Sequence, residues 1–122
     1  MATNNNVKMS ELIDMVKNFC QERDWDQFHN PKDLAIGIST EANELLDLFR
    51  FKSEEQMKQM MSDEHSRERI EEEIADVFFF VLRFAQMNDL DLEKCIKNKL
   101  YKNSLKYPVD KCKGKNLKYS DL

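Results

Sequence analysis

The run EEEIADVFFF, residues 71–80, decides the fold class because it sets acidic and bulky apolar side chains next to one another at helical spacing. Apolar residues recur every three or four positions through and beyond it, as expected for an amphipathic helix. The stripe that we expect to face the core consists of Ile70, Ile74, Phe78, Val81 and Ala85. On a helical wheel Glu73 lies about 100° from Ile74, and Asp76 lies one step further, at the margin of the stripe.

The rest of the chain has the same helical character. It holds only two glycines and two prolines, which is too few turn residues for an all-β protein. Asn30 before Pro31 is typical of a helix start, and SEEQ at 53–56 forms a capping box. We predict helices over about 10–23, 31–49 and 66–87, a short one from 53, one from Asp91 to before Pro108, and a lysine-rich tail over 109–122. This pattern predicts a single all-α domain over 1–122, a four- to five-helix bundle.

Composition restricts the class of protein and of partner. The net charge of −4 argues against a nucleic-acid-binding surface. No apolar run reaches the roughly 18–20 residues that span a bilayer, so we expect no membrane partner. The polar N-terminal segment MATNNNVKMS lacks a signal-peptide core. Cys20, Cys95 and Cys112 form no metal-binding pattern, and we therefore expect reduced thiols in a cytoplasmic protein.

Acidic residues three positions apart are common in this chain. Its 23 acidic residues give about four such pairs by chance, and five are present. Only Glu41/Glu44 and Glu73/Asp76 lie at the margin of an apolar stripe, and they lie on the two longest predicted helices. If these helices pack together, four carboxylates converge, and their repulsion favours a hard divalent cation, Mg²⁺ or Mn²⁺. The alternative is that all four are solvated surface charges.

Two tetrapeptides carry a family resemblance. EANE (41–44) followed by EIAD (73–76) resembles the E-x-x-E … E-x-x-D signature of MazG-like nucleotide pyrophosphohydrolases, in the all-α nucleoside triphosphate pyrophosphatase superfamily. RDWDQFHNPKDLA (23–35), ELLDLFRFKSEEQ (44–56) and KNKLYKNSLKYPV (97–109) are similar to blocks of its dCTP pyrophosphatase branch. The resemblance implies a MazG-like bundle that assembles as a homodimer or homotetramer. It also implies hydrolysis of dCTP, or a modified dCTP, to the monophosphate and pyrophosphate in nucleotide-pool cleansing.

The resemblance further implies which residues form the site. It assigns Mg²⁺ to Glu41, Glu44, Glu73 and Asp76. We expect Glu41 or Glu44 to help deprotonate the attacking water. The resemblance assigns contacts with the substrate to Trp25, Asp26, Gln27, Phe28, His29, Phe51, Phe80, Lys99, Asn103 and Tyr107. Phe51 and Phe80 stand where relatives commonly carry tryptophan and tyrosine, so each keeps an aromatic face and loses a polar group. Phe79, on the polar side of its helix, suits a subunit interface.

Several alternatives remain open from the sequence. Trp25 can instead be a hydrophobic staple at the start of the second helix. Lys99, Asn103 and Lys106 can be an exposed basic helix face without a ligand. The substrate can be dUTP, dATP or a damaged nucleotide, and the chain can be a non-catalytic helical module that only oligomerises or binds a partner.

Overall fold

The computed structural model describes residues 6–122, so the part of the polar N-terminal segment in residues 1–5 lies outside the described range. All regular secondary structure within residues 6–122 is helical. The elements are α1 (Met9–Glu22), α2 (Pro31–Phe49), α3 (Glu54–Ser62), α4 (Glu64–Met87), α5 (Leu92–Lys106), α6 (Val109–Cys112) and a 3-10 turn (Tyr119–Asp121). The all-α class is confirmed, and α6 is a single turn that the sequence pattern did not predict. In this part of the chain, each helix is too short or too polar to cross a membrane.

Side-chain caps fix where the helices begin. Asn30 accepts a hydrogen bond from a backbone N–H in the first turn of α2, and Ser53 forms the predicted capping box of α3. Asp91 caps α5 in the same way. These three starts are confirmed. Helix α4 begins at Glu64, two residues before the approximate start that the sequence predicted. Asp63 fixes this start, because its carboxylate accepts a backbone N–H of the first turn at 2.9 Å.

The described chain forms two compact units, of which the first ends at Asp89 and the second comprises Leu90–Leu122. In the first unit α1, α2 and α3 each pack against α4, and α2 has the largest contact with it. In the second unit, the Tyr107 hydroxyl accepts the N–H of Tyr119 at 3.3 Å, and the two rings meet edge to face. The prediction of a single domain over 1–122 stays a prediction.

Gly37 allows α2 and α4 to approach closely. The ring of Phe80 fills the space that a Cβ at Gly37 would need, with ring carbons 2.6 Å from that position. Any larger side chain at Gly37 would collide with a rigid aromatic ring. The contact turns the face of α4 that carries Phe80 toward α2, together with Glu73 and Val77, and all three are half-buried.

The predicted core stripe of α4 is therefore partly wrong. Ile70 and Ala85 are buried as predicted, but Ile74 and Phe78 are 51% and 39% exposed. Apolar residues cover a wide arc of this helix, so their pattern alone does not determine its rotation. The close contact at Gly37 determines the rotation and moves the packed arc away from Ile74.

The environment of Phe79 also differs from the expectation of a subunit interface. Its ring meets the ring of Phe19 in α1 edge to face, with the ring centres 6.0 Å apart. Helix α1 covers this side of α4, so contacts within the chain explain an apolar residue at this position.

Candidate active site

Three carboxylates converge where α2 packs against α4. One oxygen from each of Glu41, Glu73 and Asp76 lies within 4.8 Å of the other two. Glu41 lies one helical turn after Gly37, and Glu73 lies two turns before Phe80. The contact between Gly37 and Phe80 therefore sets the spacing of the helices at the position where the carboxylates meet.

Within residues 6–122, no basic side chain forms an ion pair with the acidic cluster, Glu41, Glu73 and Asp76. Burial raises the pKa of Glu41, and the negative charges of Asp76 and Glu73 raise it further. Oε2 of Glu73 is buried and has no hydrogen-bond partner within residues 6–122. Such an atom costs stability unless a ligand completes its bonding. Because the cluster offers oxygen donors only, it fits a hard divalent cation.

Glu44 does not share this point of convergence. It is exposed, and with Asp47 it lines an open groove of about 680 Å³ on α2. Burial, Asp76 and Glu73 raise the pKa of Glu41, and the charge of Glu44 adds to this effect. Glu44 thus lies near the acidic cluster, and its assignment as a fourth metal ligand stays a prediction.

The loop between α1 and α2 carries five of the predicted substrate-contacting residues. The half-buried ring of Trp25 meets Phe19 edge to face at 5.7 Å and is tilted against the ring of His29 at 5.9 Å. Phe28 is 59% exposed. Gln27 donates a hydrogen bond of 3.0 Å to a carboxylate three residues before it, which stabilises the turn. Contacts among its own residues therefore order the loop, in which the ring of Trp25 is packed and that of Phe28 is exposed to solvent.

Arg83 of α4 is a residue of this site that the sequence patterns did not single out. Its side chain is completely buried and donates hydrogen bonds to Asp26 Oδ1, to His29 Nδ1 at 2.9 Å and to Gln86 Oε1 at 2.5 Å. The hydrogen bond from Arg83 lowers the pKa of Asp26. Burial, and then the charge of Arg83, lowers the pKa of His29. A signal was present, since Arg83 is the only charged residue in VFFFVLRFAQM, 77–87.

The two remaining aromatic residues of the predicted site have different surroundings. Phe51 follows α2, is 90% exposed and has a backbone φ of 64°. A bulky residue in this left-handed region is strained, and little burial compensates for the strain. The guanidinium of Arg50 lies 4.7 Å from the centre of its ring. Phe80, by contrast, is held between α2 and α4 against Gly37.

The last three predicted substrate contacts belong to the second unit. Lys99 and Asn103 lie on α5, and Tyr107 follows directly after it. Lys99 is exposed and Asn103 is half-buried, while the Tyr107 hydroxyl is engaged by Tyr119. Their contacts with a substrate stay predictions.

Comparison with known proteins shows the family of this chain. The model of the MazG-like family matches residues 36–122. The chain is 34% identical over 104 residues to dCTP pyrophosphatase 1 of Rattus norvegicus, a match covering 85% of this chain and 61% of that protein. For dCTP pyrophosphatase 1 of Homo sapiens the identity is 30% with the same coverage of both proteins.

A solved structure has a similar fold. The crystal structure of a pyrophosphatase from Archaeoglobus fulgidus DSM 4304 superposes with a TM-score of 0.77 at 33% identity, covering 88% of this chain and 99% of that chain. The chain spans about three fifths of the length of the curated relatives that it matches. Because the family model matches more than half of the chain, the chain belongs to the MazG-like family.

Proposed function

We propose that the chain is a nucleoside triphosphate pyrophosphohydrolase that converts dCTP, or a modified dCTP, into the monophosphate and pyrophosphate and so cleanses the nucleotide pool. The observation that carries this proposal is the convergence of Glu41, Glu73 and Asp76 around a buried carboxylate oxygen that has no hydrogen-bond partner within residues 6–122. The names of the relatives, dCTP pyrophosphatase 1, support the reaction and the choice of nucleotide.

The cofactor that we propose is Mg²⁺, with Mn²⁺ as the alternative. Glu41, Glu73 and Asp76 would hold it, and Glu44 would contribute from the neighbouring turn of α2. Two features support this assignment: all four side chains offer hard oxygen ligands, and the buried Oε2 of Glu73 has no hydrogen-bond partner in the described part of the chain. When bound, the metal supplies charge neutralisation at phosphoryl oxygens and a lowered pKa of bound water.

The chain's own side chains position the substrate and move the proton. Glu41 or Glu44 acts as the general base for the attacking water, since both lie beside the proposed metal position. Trp25 and Phe51 offer aromatic faces to the base, and the loop residues Asp26 to His29 surround it. Phe80 supports the site from the interface of α2 and α4. We propose that three residues of the second unit contact sugar or phosphate: Lys99, Asn103 and Tyr107.

Self-association is part of this proposal. Ile74 and Phe78 of α4 and Leu46 of α2 are large apolar residues that are 51%, 39% and 66% exposed. Apolar side chains that stay uncovered in this way favour contact with a second copy of the chain, as a homodimer or a homotetramer. A cytoplasmic location and the absence of nucleic-acid and membrane partners are further parts of the proposal.

Competition among nucleotides tests the proposed substrate. Purified protein with Mg²⁺ receives equal amounts of dCTP, 5-methyl-dCTP, dUTP and dATP, and each monophosphate is quantified by chromatography. We expect the cytosine nucleotides to be consumed first. Faster conversion of dUTP or dATP would transfer the assignment to that nucleotide, and no conversion of any nucleotide would refute the enzyme activity.

A further inference from the structure

The side chain of Arg83 fastens two residues of the Trp25–His29 loop to α4. The buried guanidinium contacts Asp26 and His29, which stand 57 and 54 residues before it in the chain. These bonds span one turn of the loop, and the ring of His29 is tilted against the ring of Trp25 at 5.9 Å. The orientation of His29, and through it the packing of Trp25, therefore depends on Arg83.

The hydrogen bond between Arg83 and His29 also determines where His29 carries its proton. The Nε of an arginine always bears a hydrogen, so it can only donate. Nδ1 of His29, 2.9 Å away, must then be the acceptor and cannot carry a proton. A neutral imidazole with a bare Nδ1 carries its proton on Nε2. Within residues 6–122, Nε2 donates no hydrogen bond to a protein acceptor. It is also not one of the buried polar atoms that lack a partner.

We propose that Arg83 is a positioning residue that locks His29 in the Nε2–H tautomer, so that the loop presents a hydrogen-bond donor to an acceptor on the nucleobase. This inference rests on the proposed function for the identity of the ligand, but not for the tautomer. A carbonyl oxygen or an unprotonated ring nitrogen of a pyrimidine provides such an acceptor. An amino group in the same place is disfavoured because two donors would face each other.

The surroundings of His29 preserve this state as the pH falls. Among the described residues, three charged groups act on the ring: Arg83 from α4, Asp26 from the loop and Asp33 from α2. Protonation of His29 would put a hydrogen on Nδ1, against the donor Nε of Arg83, and would break the bond. Burial of the ring, and then the positive charge of Arg83, oppose this step, while the two carboxylates favour it; the pKa of His29 is lowered on balance.

Nitrogen NMR of the imidazole tests the tautomer directly. The chain has only two histidines, so a His65→Gln variant assigns the signals of His29. We expect the wild type at pH 7.5 to show a protonated Nε2 and an unprotonated Nδ1, and Arg83→Met to show exchange between both tautomers. A proton on Nδ1 in the wild type, or identical tautomer populations in Arg83→Met, would overturn the proposal.

Kinetics with dCTP and Mg²⁺ separate positioning from general stability. We expect Arg83→Met to raise KM roughly tenfold with kcat changed less than about threefold, because the lost contact acts on binding. Arg83→Lys keeps the positive charge, and its KM should lie between that of Arg83→Met and that of the wild type. The matched control is Arg67→Met, which removes an exposed arginine paired with Glu71 on the same helix and should change neither constant.

The outcomes of the two experiments are distinguishable. A lower kcat with unchanged KM in Arg83→Lys, which is the milder replacement, would overturn the positioning role. If the wild type hydrolyses no nucleotide, the proposed function fails, and the NMR spectrum of the wild type still decides the tautomer.

Discussion

Replacing Glu73 with glutamine should change the stability of the protein in opposite directions without and with a divalent metal. Glutamine has nearly the same size and shape, so the packing between α2 and α4 is kept. The substitution removes one of three negative charges whose oxygens lie within 4.8 Å of one another, and it gives the buried position a hydrogen-bond donor for a neighbouring carboxylate.

The magnitude follows from Coulomb's law. Two unit charges 4.8 Å apart repel each other by about 3 kcal/mol at an effective dielectric constant of 20. Solvent screens the repulsion between Glu73 and Asp76, because Asp76 is exposed. The raised pKa of Glu41 relieves part of the repulsion between Glu73 and Glu41. We therefore expect Glu73→Gln to be more stable than the wild type in EDTA by about 1–2 kcal/mol, or roughly 3–6 °C in Tm.

Addition of Mg²⁺ should reverse the order. A ligand present at 100 times its Kd stabilises the native state by about 2.7 kcal/mol, and the wild type should show a gain of this size. Glu73→Gln lacks one metal ligand and should gain much less.

Urea unfolding followed by circular dichroism, with EDTA or with Mg²⁺, measures both effects. The control is Glu72→Gln, the exposed neighbour on α4, which should follow the wild type in both conditions. A Glu73→Gln variant that is destabilised in EDTA, or that gains as much from Mg²⁺ as the wild type, would refute the reasoning.

Three further predictions follow from individual residues. Phe51→Gly should gain about 1 kcal/mol of stability, because glycine relieves the backbone strain, and should raise KM for the nucleotide. The control Asp89→Gly, at a φ of 53°, should gain stability without a change in KM. An unchanged KM in Phe51→Gly contradicts the prediction. Gly37→Ala should lower the free energy of unfolding in urea by about 1–2 kcal/mol, because its Cβ meets the ring of Phe80. Adding Phe80→Leu should recover most of this loss. A Gly37→Ala variant as stable as the wild type would contradict the close contact. Burial, and then neighbouring charge, raises the pKa of Glu41 above its ordinary 4.5, so charged Glu41 costs stability near pH 7.5 and this cost disappears as the pH falls through the raised pKa. In EDTA the advantage of Glu41→Gln over the wild type should therefore shrink between pH 7.5 and 5, and an advantage that is constant over this range argues against the effect.

Local signals made the helices predictable from the sequence. Asn30, Ser53 and Asp91 each cap a helix through an atom three residues away, so a short stretch of chain determines each start. The two acidic pairs were singled out by their place beside apolar stripes, and the structure brings three of those four carboxylates together. Patterns of three to four residues determine the helix starts and the place of the acidic pairs, so both can be predicted without knowledge of the tertiary fold.

Features that depend on distant contacts were not predictable in the same way. The rotation of α4 depends on how Phe80 fits against Gly37, 43 residues away in the chain, and the apolar pattern allowed Ile74 to be placed in the core. Arg83 was not predicted as part of the site, because its partners Asp26 and His29 are brought to it only by folding. Both features lie on the side of a helix that a second helix or a loop covers.

The most direct test of the central claim is the product balance of the reaction. Purified protein is incubated with dCTP and Mg²⁺, and dCMP, pyrophosphate and inorganic phosphate are each quantified, with Glu73→Gln and Glu72→Gln measured in parallel. We predict dCMP and pyrophosphate in equal amounts, no reaction in EDTA, a loss of at least about 100-fold in Glu73→Gln and full activity in Glu72→Gln. Release of dCDP with inorganic phosphate, or wild-type activity in Glu73→Gln, would contradict a pyrophosphohydrolase site at the acidic cluster of α2 and α4.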